Sequence, residues 1–334
     1  MGLLKQPLVG SSNLAIPKPL TCRVRLPRTA LASVHLIWVT VWWAGQPSFK
    51  SLFMEHMPAK GVYLYHRDLG ARQIATCVRI LGWGPVIGPR ASDNQMKSAI
   101  RRMLRKVGYD IRRYHETTSE TARLSRMLNY HKINLVLDVG ANVGQFAISL
   151  RSDLAYRGRI VSFEPLKGPH AALLESSQKD PLWIVAPRAA VGAIDGEIEI
   201  NVSGNSVSSS ILPMLDSHTE AAPESRYSGV ENVPLRRLDS FATQYIEADS
   251  KIFLKVDTQG YERQVLEGAP AILRKAIGVA LEVSLTPLYQ GDQLMPETVH
   301  HMSAIGFDLW GVSPAFVDER SGRSLQFDAI FFRS

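Results

Sequence analysis

Two carboxylates, Asp257 and Glu282, stand where a chain of this kind would do chemistry. Asp257 closes the strand-like run 252–256, and Glu282 lies within the next one, 278–283. Open α/β sheets expose reactive groups at the carboxyl ends of their strands. A carboxylate there can take the proton of a hydroxyl and make it a nucleophile. If both acids face one cleft, they share that proton or hold a divalent cation with oxygen ligands alone, the less favoured arrangement. The plainer alternative has Asp257 accepting backbone N–H groups of its own turn and Glu282 pairing with Lys255. His170, His218, His300 and His301 are further bases by residue type, but none stands on a recognised motif.

A second constellation points to a ligand. Leu135-Val136-Leu137-Asp138-Val139-Gly140-Ala141-Asn142-Val143-Gly144 reads as a buried strand ending in an acid, then a turn with two glycines that opens a helix. Glycine permits unusual dihedrals and a close ligand. The exposed N–H groups at such a helix start suit a nucleotide-like molecule. The dehydrogenase pattern Gly-x-Gly-x-x-Gly is absent. Glu164 closes the next strand-like run, 159–163, where an acid can accept hydrogen bonds from a ribose diol. Taken singly, Asp138 also reads as a strand-end acid or helix cap, and Glu164 as a surface acid before Pro165.

From residue 131 onward, strand and helix signals alternate. Strands are expected at 135–139, 159–163, 183–186, 252–256 and 278–283, with helices at 144–150, 166–177, 262–273 and 296–305. The alternating run 196–202 reads as an edge or hairpin strand. Residues 203–233 read as a long polar loop, over the cleft or merely connecting. Phe307–Val312 and Gln326–Arg333 follow with no helix between them, a closing antiparallel hairpin. The fold class is therefore α/β, a doubly wound, mostly parallel, Rossmann-like sheet of seven strands with that hairpin at its end.

Charge divides the chain. Residues 1–94 carry +8 (11 basic, 3 acidic), residues 95–130 carry +6 (9 and 3), and residues 131–334 carry −7 (18 and 25). Cys22 and Cys77 are the only cysteines, which excludes a disulfide framework and fits a reducing compartment. Residues 1–94 form an N-terminal extension of poorly defined structure, and 95–334 the catalytic domain. The apolar run Ala30–Gly45, with Trp38, Trp42 and Trp43, reads as a signal-like core, an interfacial segment, or a strand or helix packed on the domain. Residues 94–130 look helical, with Met96, Ile100, Met103, Leu104 and Val107 on one face and basic residues on the other. A second helix runs over 119–128, capped near Thr117 or Thr118. The basic front suits peripheral contact with an anionic membrane surface through residues 1–130, in a cytoplasmic protein at the inner face of the membrane. It also raises nucleic acid as a partner, which the acidic charge around the cleft speaks against.

Asp138–Gly144, Phe163-Glu164-Pro165 and Lys255-Val256-Asp257-Thr258-Gln259-Gly260-Tyr261-Glu262 with Val265–Ala269 together resemble the FkbM-type family of S-adenosylmethionine-dependent methyltransferases. Ser208–Leu212, Leu238-Asp239, Glu282, Leu288-Tyr289 and Phe327–Phe331 add to the match, which spans roughly 95–334. The resemblance implies a class I methyltransferase-like sheet and transfer of a methyl group to a hydroxyl, most often of a sugar in a glycolipid, polysaccharide or secondary metabolite. It places Asp138, Gly140, Asn142 and Gly144 around the methionine and ribose of the cofactor, Glu164 on the ribose hydroxyls, and Ala190 near the adenine. Asp257 and Glu282 are then the catalytic pair, with no resident metal assigned. A nicotinamide-dependent oxidoreductase and an RNA-modifying or nucleic-acid-binding protein are the alternatives.

Overall fold

A computed structural model describes residues 114–333, residues 98, 101–106 and 108–110, and the backbone of four strands within the first 80 residues. The chain forms two compact units, Met1–Tyr109 and Asp110–Ser334, so the second unit begins some residues after the boundary expected at 94/95. In the first unit, β1 (Leu20–Arg23), β2 (Ile37–Ala44), β3 (Val62–His66) and β4 (Gln73–Ile80) form an antiparallel sheet in the order β1-β2-β4-β3. The tryptophan run thus holds a strand rather than a helix. Met96, Ile100 and Val107 of the basic amphipathic pattern lie outside the described residues; residues 101–105 are helical, with Arg101, Arg102, Met103 and Arg105 exposed. No helix among the described residues is long and apolar enough to cross a membrane.

In the second unit α1 (Glu120–Tyr130) is capped by Ser119, not by Thr117 or Thr118. Ser119 has extended dihedrals, and its Oγ accepts from the Ala122 N–H at 3.2 Å, satisfying one orphan donor of the first turn. The strands that follow are β5 (Leu135–Val139), β6 (Arg159–Phe163), β7 (Trp183–Val185), β8 (Ala190–Gly192), β9 (Gly196–Ser203), β10 (Tyr227–Arg237), β11 (Ile252–Val256), β12 (Ala276–Ser284), β13 (Phe307–Asp318) and β14 (Arg323–Arg333). Seven of them form one sheet in the order β13-β14-β12-β11-β5-β6-β7. The block from β12 to β7 is parallel, and β14 and β13 close it antiparallel. Helices α2 (Gln145–Ser152), α3 (Lys167–Ser177), α4 (Asp216–Ala221), α5 (Leu238–Ala242), α6 (Glu262–Glu267), α7 (Pro270–Lys275) and α8 (Met295–Ala304) fill the connections. The single helix expected at 262–273 is thus two, α6 and α7. Pro270 has no N–H to continue the first, and it opens the second.

The period of two along β5 explains why this strand must be central. Leu135, Leu137 and Val139 join one core with Val161, Phe163, Leu254 and Val279. Val136 joins the other, with Ile160, Leu150, Leu173 and Trp183. Both faces are covered, as in other parallel sheets, and each fully buried Leu, Val or Phe contributes about 1.5–3 kcal/mol. Asp138 falls on the second face, where burial by itself destabilises a carboxylate; its partners must hold it there.

Residues 203–233 are not one long loop. They carry α4 and the first part of β10, which pairs antiparallel with β9 and parallel with β8 in a second, three-stranded sheet. Ser203, Ser208, Ser210, His218 and Ser225 are buried there. The run 196–202 is therefore a hairpin-type strand, but in this side sheet rather than at the edge of the main one.

Candidate functional site

The turn after β5 is built by close approach. Gly140 has φ +78°, and a Cβ on it would lie 1.8 Å from the main-chain oxygen of Asp257. Gly140 and Ala141 donate their N–H groups to Phe163 O at 3.0 Å, and Asp257 donates its N–H to Val139 O at 3.0 Å. The carboxyl ends of β5, β6 and β11 are thereby pinned together. Beside them opens a cavity of about 340 Å³, in the range of small-molecule sites.

One end of the cavity is largely apolar, with Phe163, Pro165, Leu166, Ala189, Ala190 and Val191 on its wall. Glu164 stands there, buried to 5% exposure. Its Oε2 accepts from the Asn142 N–H at 2.8 Å and its Oε1 from the Leu166 N–H at 2.9 Å. Each oxygen keeps a lone pair for another donor. Burial pushes this carboxyl up to about 7 against the pull of those two N–H groups. Asn142 itself takes a left-handed φ of 48°, which turns its N–H toward Glu164.

The other end carries Lys255, Asp257, Thr258, Gln259 and Asp328. Lys255 Nζ lies 3.2 Å from Asp257 Oδ2 and 3.4 Å from Asp138 Oδ1, over the Phe146 ring. Burial alone would lower the Lys255 ammonium, but Asp257 and Asp138 outweigh it and hold it above its ordinary value. Asp138 is completely buried; burial raises it and Lys255 pulls it back. Its Oδ2 accepts from Ser162 Oγ at 3.3 Å, and Ser162 Oγ accepts from Trp183 Nε1 at 3.0 Å, while Oδ1 has only the lysine charge. Burial, and next the charge of Asp257, raise Asp328 to about 6.

The expected residues separate into two groups. Gly140, Asn142, Glu164, Ala190 and Asp257 line the cavity; Asp138, Gly144 and Glu282 are not part of its lining. Asp138 holds Lys255 from behind. Gly144, at φ +93°, is required by packing, since a Cβ would meet the Trp183 ring at 2.7 Å. Glu282 stands behind Gln259, which donates Nε2 to it at 2.7 Å and to Asp257 Oδ1 at 2.9 Å. The plainer pairing of Glu282 with Lys255 is replaced by Lys255 with Asp138 and Asp257. The turn's N–H groups go not to Asp257 but to Glu262, whose Oε1 accepts from Thr258 N at 2.7 Å and Gly260 N at 3.3 Å. Burial raises the Glu262 carboxyl to about 7. His170 bonds Ala186 O at 2.9 Å, and His218 is buried against Tyr289 and Phe316; neither lines the cavity, and neither do His300 and His301.

Residue type does not single out Gln259 and Asp328. The signal for Gln259 is a polar residue between an acid that follows one strand and an acid inside the next, and for Asp328 it is the register that sets it opposite Glu282. Ser206, Ser209 and Ser210 of the polar segment border the cavity. Among the described residues no cluster of three or more His, Cys, Asp or Glu could hold a metal ion.

Residues 138–309 match the model of the methyltransferase FkbM domain. Among solved structures, the chain is similar to a methyltransferase FkbM from Methylobacillus flagellatus KT, with TM-score 0.39 and 14% identity over 60% of this chain and 43% of that one. It is similar to Aeropyrum pernix fibrillarin in complex with S-adenosyl-L-methionine, with TM-score 0.35 and 10% identity over 59% and 66%. A precorrin-6y C5,15-methyltransferase from Geobacter metallireducens GS-15 gives TM-score 0.33 and 10% identity over 64% and 89%. The chain thus spans less than half the length of the first of these. No curated protein sequence matches it.

Proposed function

This chain belongs to the FkbM methyltransferase family, and from that we propose that it transfers the methyl group of S-adenosylmethionine to a hydroxyl oxygen, that of a sugar in a glycolipid, polysaccharide or secondary metabolite. The residues present fit that cofactor. Glu164 offers a carboxylate with free lone pairs to a ribose diol, and Ala189–Val191 with Phe163 and Leu166 offer an apolar wall to a base. When bound, S-adenosylmethionine supplies an electrophilic methyl group. Asp257, at the polar end, takes the proton of the acceptor hydroxyl. Lys255 and Gln259 hold its two oxygens, and the turn around Gly140 keeps both ends of the cavity in register. Alignment of acceptor and donor is the part of the barrier such a rigid frame removes.

The observation that carries this reading is Glu164, buried, anchored on both oxygens and still able to accept. Glu164→Ala is expected to weaken S-adenosylmethionine binding by about 1–3 kcal/mol, the scale of hydrogen bonds to a charged group. Because the carboxyl is raised to about 7, a ligand that needs the carboxylate must displace a proton at lower pH. Affinity in the wild type therefore falls as pH drops through that value, and Glu164→Ala loses that slope. Calorimetry with S-adenosylmethionine and with NADH checks both; unchanged affinity in the variant removes Glu164 from the site.

The basic front supports a second element of the proposal, an acceptor held at an anionic membrane surface. Basic groups near such a surface contribute on the order of 1 kcal/mol each. The full chain is expected to sediment with anionic vesicles at low salt and to release them at high salt. Full-length protein that ignores those vesicles at low salt rules the contact out.

A further inference from the structure

We propose that Gln259 is a positioning residue for the methyl transfer, fixing the carboxylate of Asp257 with its side-chain amide and carrying the serine segment of the cavity wall on its main chain. The proposal rests on the reading of Asp257 as the base. Gln259 sits in the turn after β11 with a left-handed φ of 55°, a conformation that costs a non-glycine residue energy and persists only where the surroundings impose it. Four hydrogen bonds impose it. Nε2 donates to Asp257 Oδ1 at 2.9 Å and to Glu282 Oε2 at 2.7 Å, using both amide hydrogens. Oε1 accepts from Tyr289 Oη at 2.8 Å, which fixes which end of the amide faces the acids. The main-chain oxygen accepts from Ser210 Oγ at 2.7 Å, and Ser210 is itself buried.

The consequence is a carboxylate held at both oxygens. Lys255 holds Oδ2 of Asp257 from one side and Gln259 holds Oδ1 from the other. Glu282 is the far anchor of this bridge; Gln326 Nε2 donates to the same Oε2 at 3.0 Å and keeps it in place. Through Ser210, a shift of Gln259 also moves the segment that contributes Ser206, Ser209 and Ser210 to the cavity wall. Base and acceptor-facing wall therefore share one support.

The test uses the isosteric variant Gln259→Glu beside Gln259→Met in the full chain. The charged groups around position 259 are Lys255 and Asp257 on β11 and in its turn, Glu262 on α6, Glu282 on β12 and Asp328 on β14, with the Tyr289 hydroxyl against it. At pH 8 the Gln259→Glu variant carries a further carboxylate with no hydrogen to give. Melting is expected to fall by ~5–10 °C, two lost bonds to buried carboxyl groups in a domain of this size. Amide exchange across 203–212 is expected to rise roughly tenfold as its support loosens. At pH 5.5 the new side chain takes a proton and again donates one hydrogen, so both quantities recover toward wild type measured at the same pH. Gln259→Met, which can donate at neither pH, shows no recovery, and its turnover, followed as S-adenosylhomocysteine formation, falls while its S-adenosylhomocysteine affinity stays near wild type. Unchanged turnover beside a lowered melting point makes Gln259 structural only and overturns the proposal. If Gln259→Glu matches wild type at both pH values, or if the two variants are equally affected at both, Gln259 only fills space and the proposal is overturned. Calorimetry of wild type with S-adenosylhomocysteine is read separately. No binding there removes the base that Gln259 is said to position, whatever the melting curves show.

Discussion

Asp257→Asn is expected to lower turnover by roughly 10²–10⁴-fold, the usual contribution of a general base, while leaving S-adenosylhomocysteine affinity near wild type. The two effects separate because the cofactor-facing groups, Glu164 and Asn142, lie on the turns after β6 and β5, whereas Asp257 follows β11, which β5 separates from β6. Asparagine keeps the shape but not the hydrogen bonding. Asp257 accepts from two donors, the Lys255 ammonium and the Gln259 amide. An asparagine must turn its own NH₂ toward one of them, so one bond is lost along with the charge. Turnover followed as S-adenosylhomocysteine formation, with calorimetry on the same sample, checks the split. Near-normal turnover on the true acceptor takes the base role from Asp257. Activity lost in EDTA and restored by Mg²⁺ or Mn²⁺ would instead make a bound cation the group that polarises the hydroxyl.

The parallel sheet is legible because its signal is local. The run Leu135–Val139 is buried on every residue, and Arg159–Phe163 and Ile252–Val256 are each buried on four of five. In the side sheet Gly196–Ser203 is legible as a strand but Tyr227–Arg237 is not, because it contains Gly229, Pro234 and several charged residues that local propensity assigns to a loop. What makes it a strand is its pairing with Gly196–Ser203, well upstream in the chain. The site divides in the same way. Glycine and acid spacing point to Gly140, Asn142, Glu164 and Asp257, whose places depend on short turns. Residue type cannot tell that Asp138 and Glu282 stand behind the wall. Their placement depends on which strand lies next to which, and on whether Lys255 and Gln259 come between. Glu262 shows the converse: it belongs to the Lys255–Glu262 motif that carries the resemblance, yet it holds the turn's N–H groups and leaves Asp257 free of them.

Lys255→Met should be the most destabilising single change in this region, by about 3–5 kcal/mol at pH 8, the cost of leaving one partner of a buried pair uncompensated. The reason lies with Asp138, which has no exposure, one oxygen bonded only to Ser162 and the other facing nothing but the Lys255 charge. Without the ammonium, the acid must stay charged in an apolar place or take a proton. Its folded-state pKa, already raised by burial, then rises further. A group raised in this way contributes stability that is present below its unfolded value and lost as pH rises through the folded one. The deficit of Lys255→Met relative to wild type is therefore smaller at pH 5 than at pH 8. The double variant Asp138→Asn, Lys255→Met removes the stranded charge and is expected to recover at least half of the loss, because a neutral pair costs far less to bury than one unpaired ion. Urea unfolding of the two variants and wild type at both pH values measures all of this. A single variant within about 1 kcal/mol of wild type at pH 8 would mean that solvent reaches Asp138, and that Lys255 serves Asp257 alone.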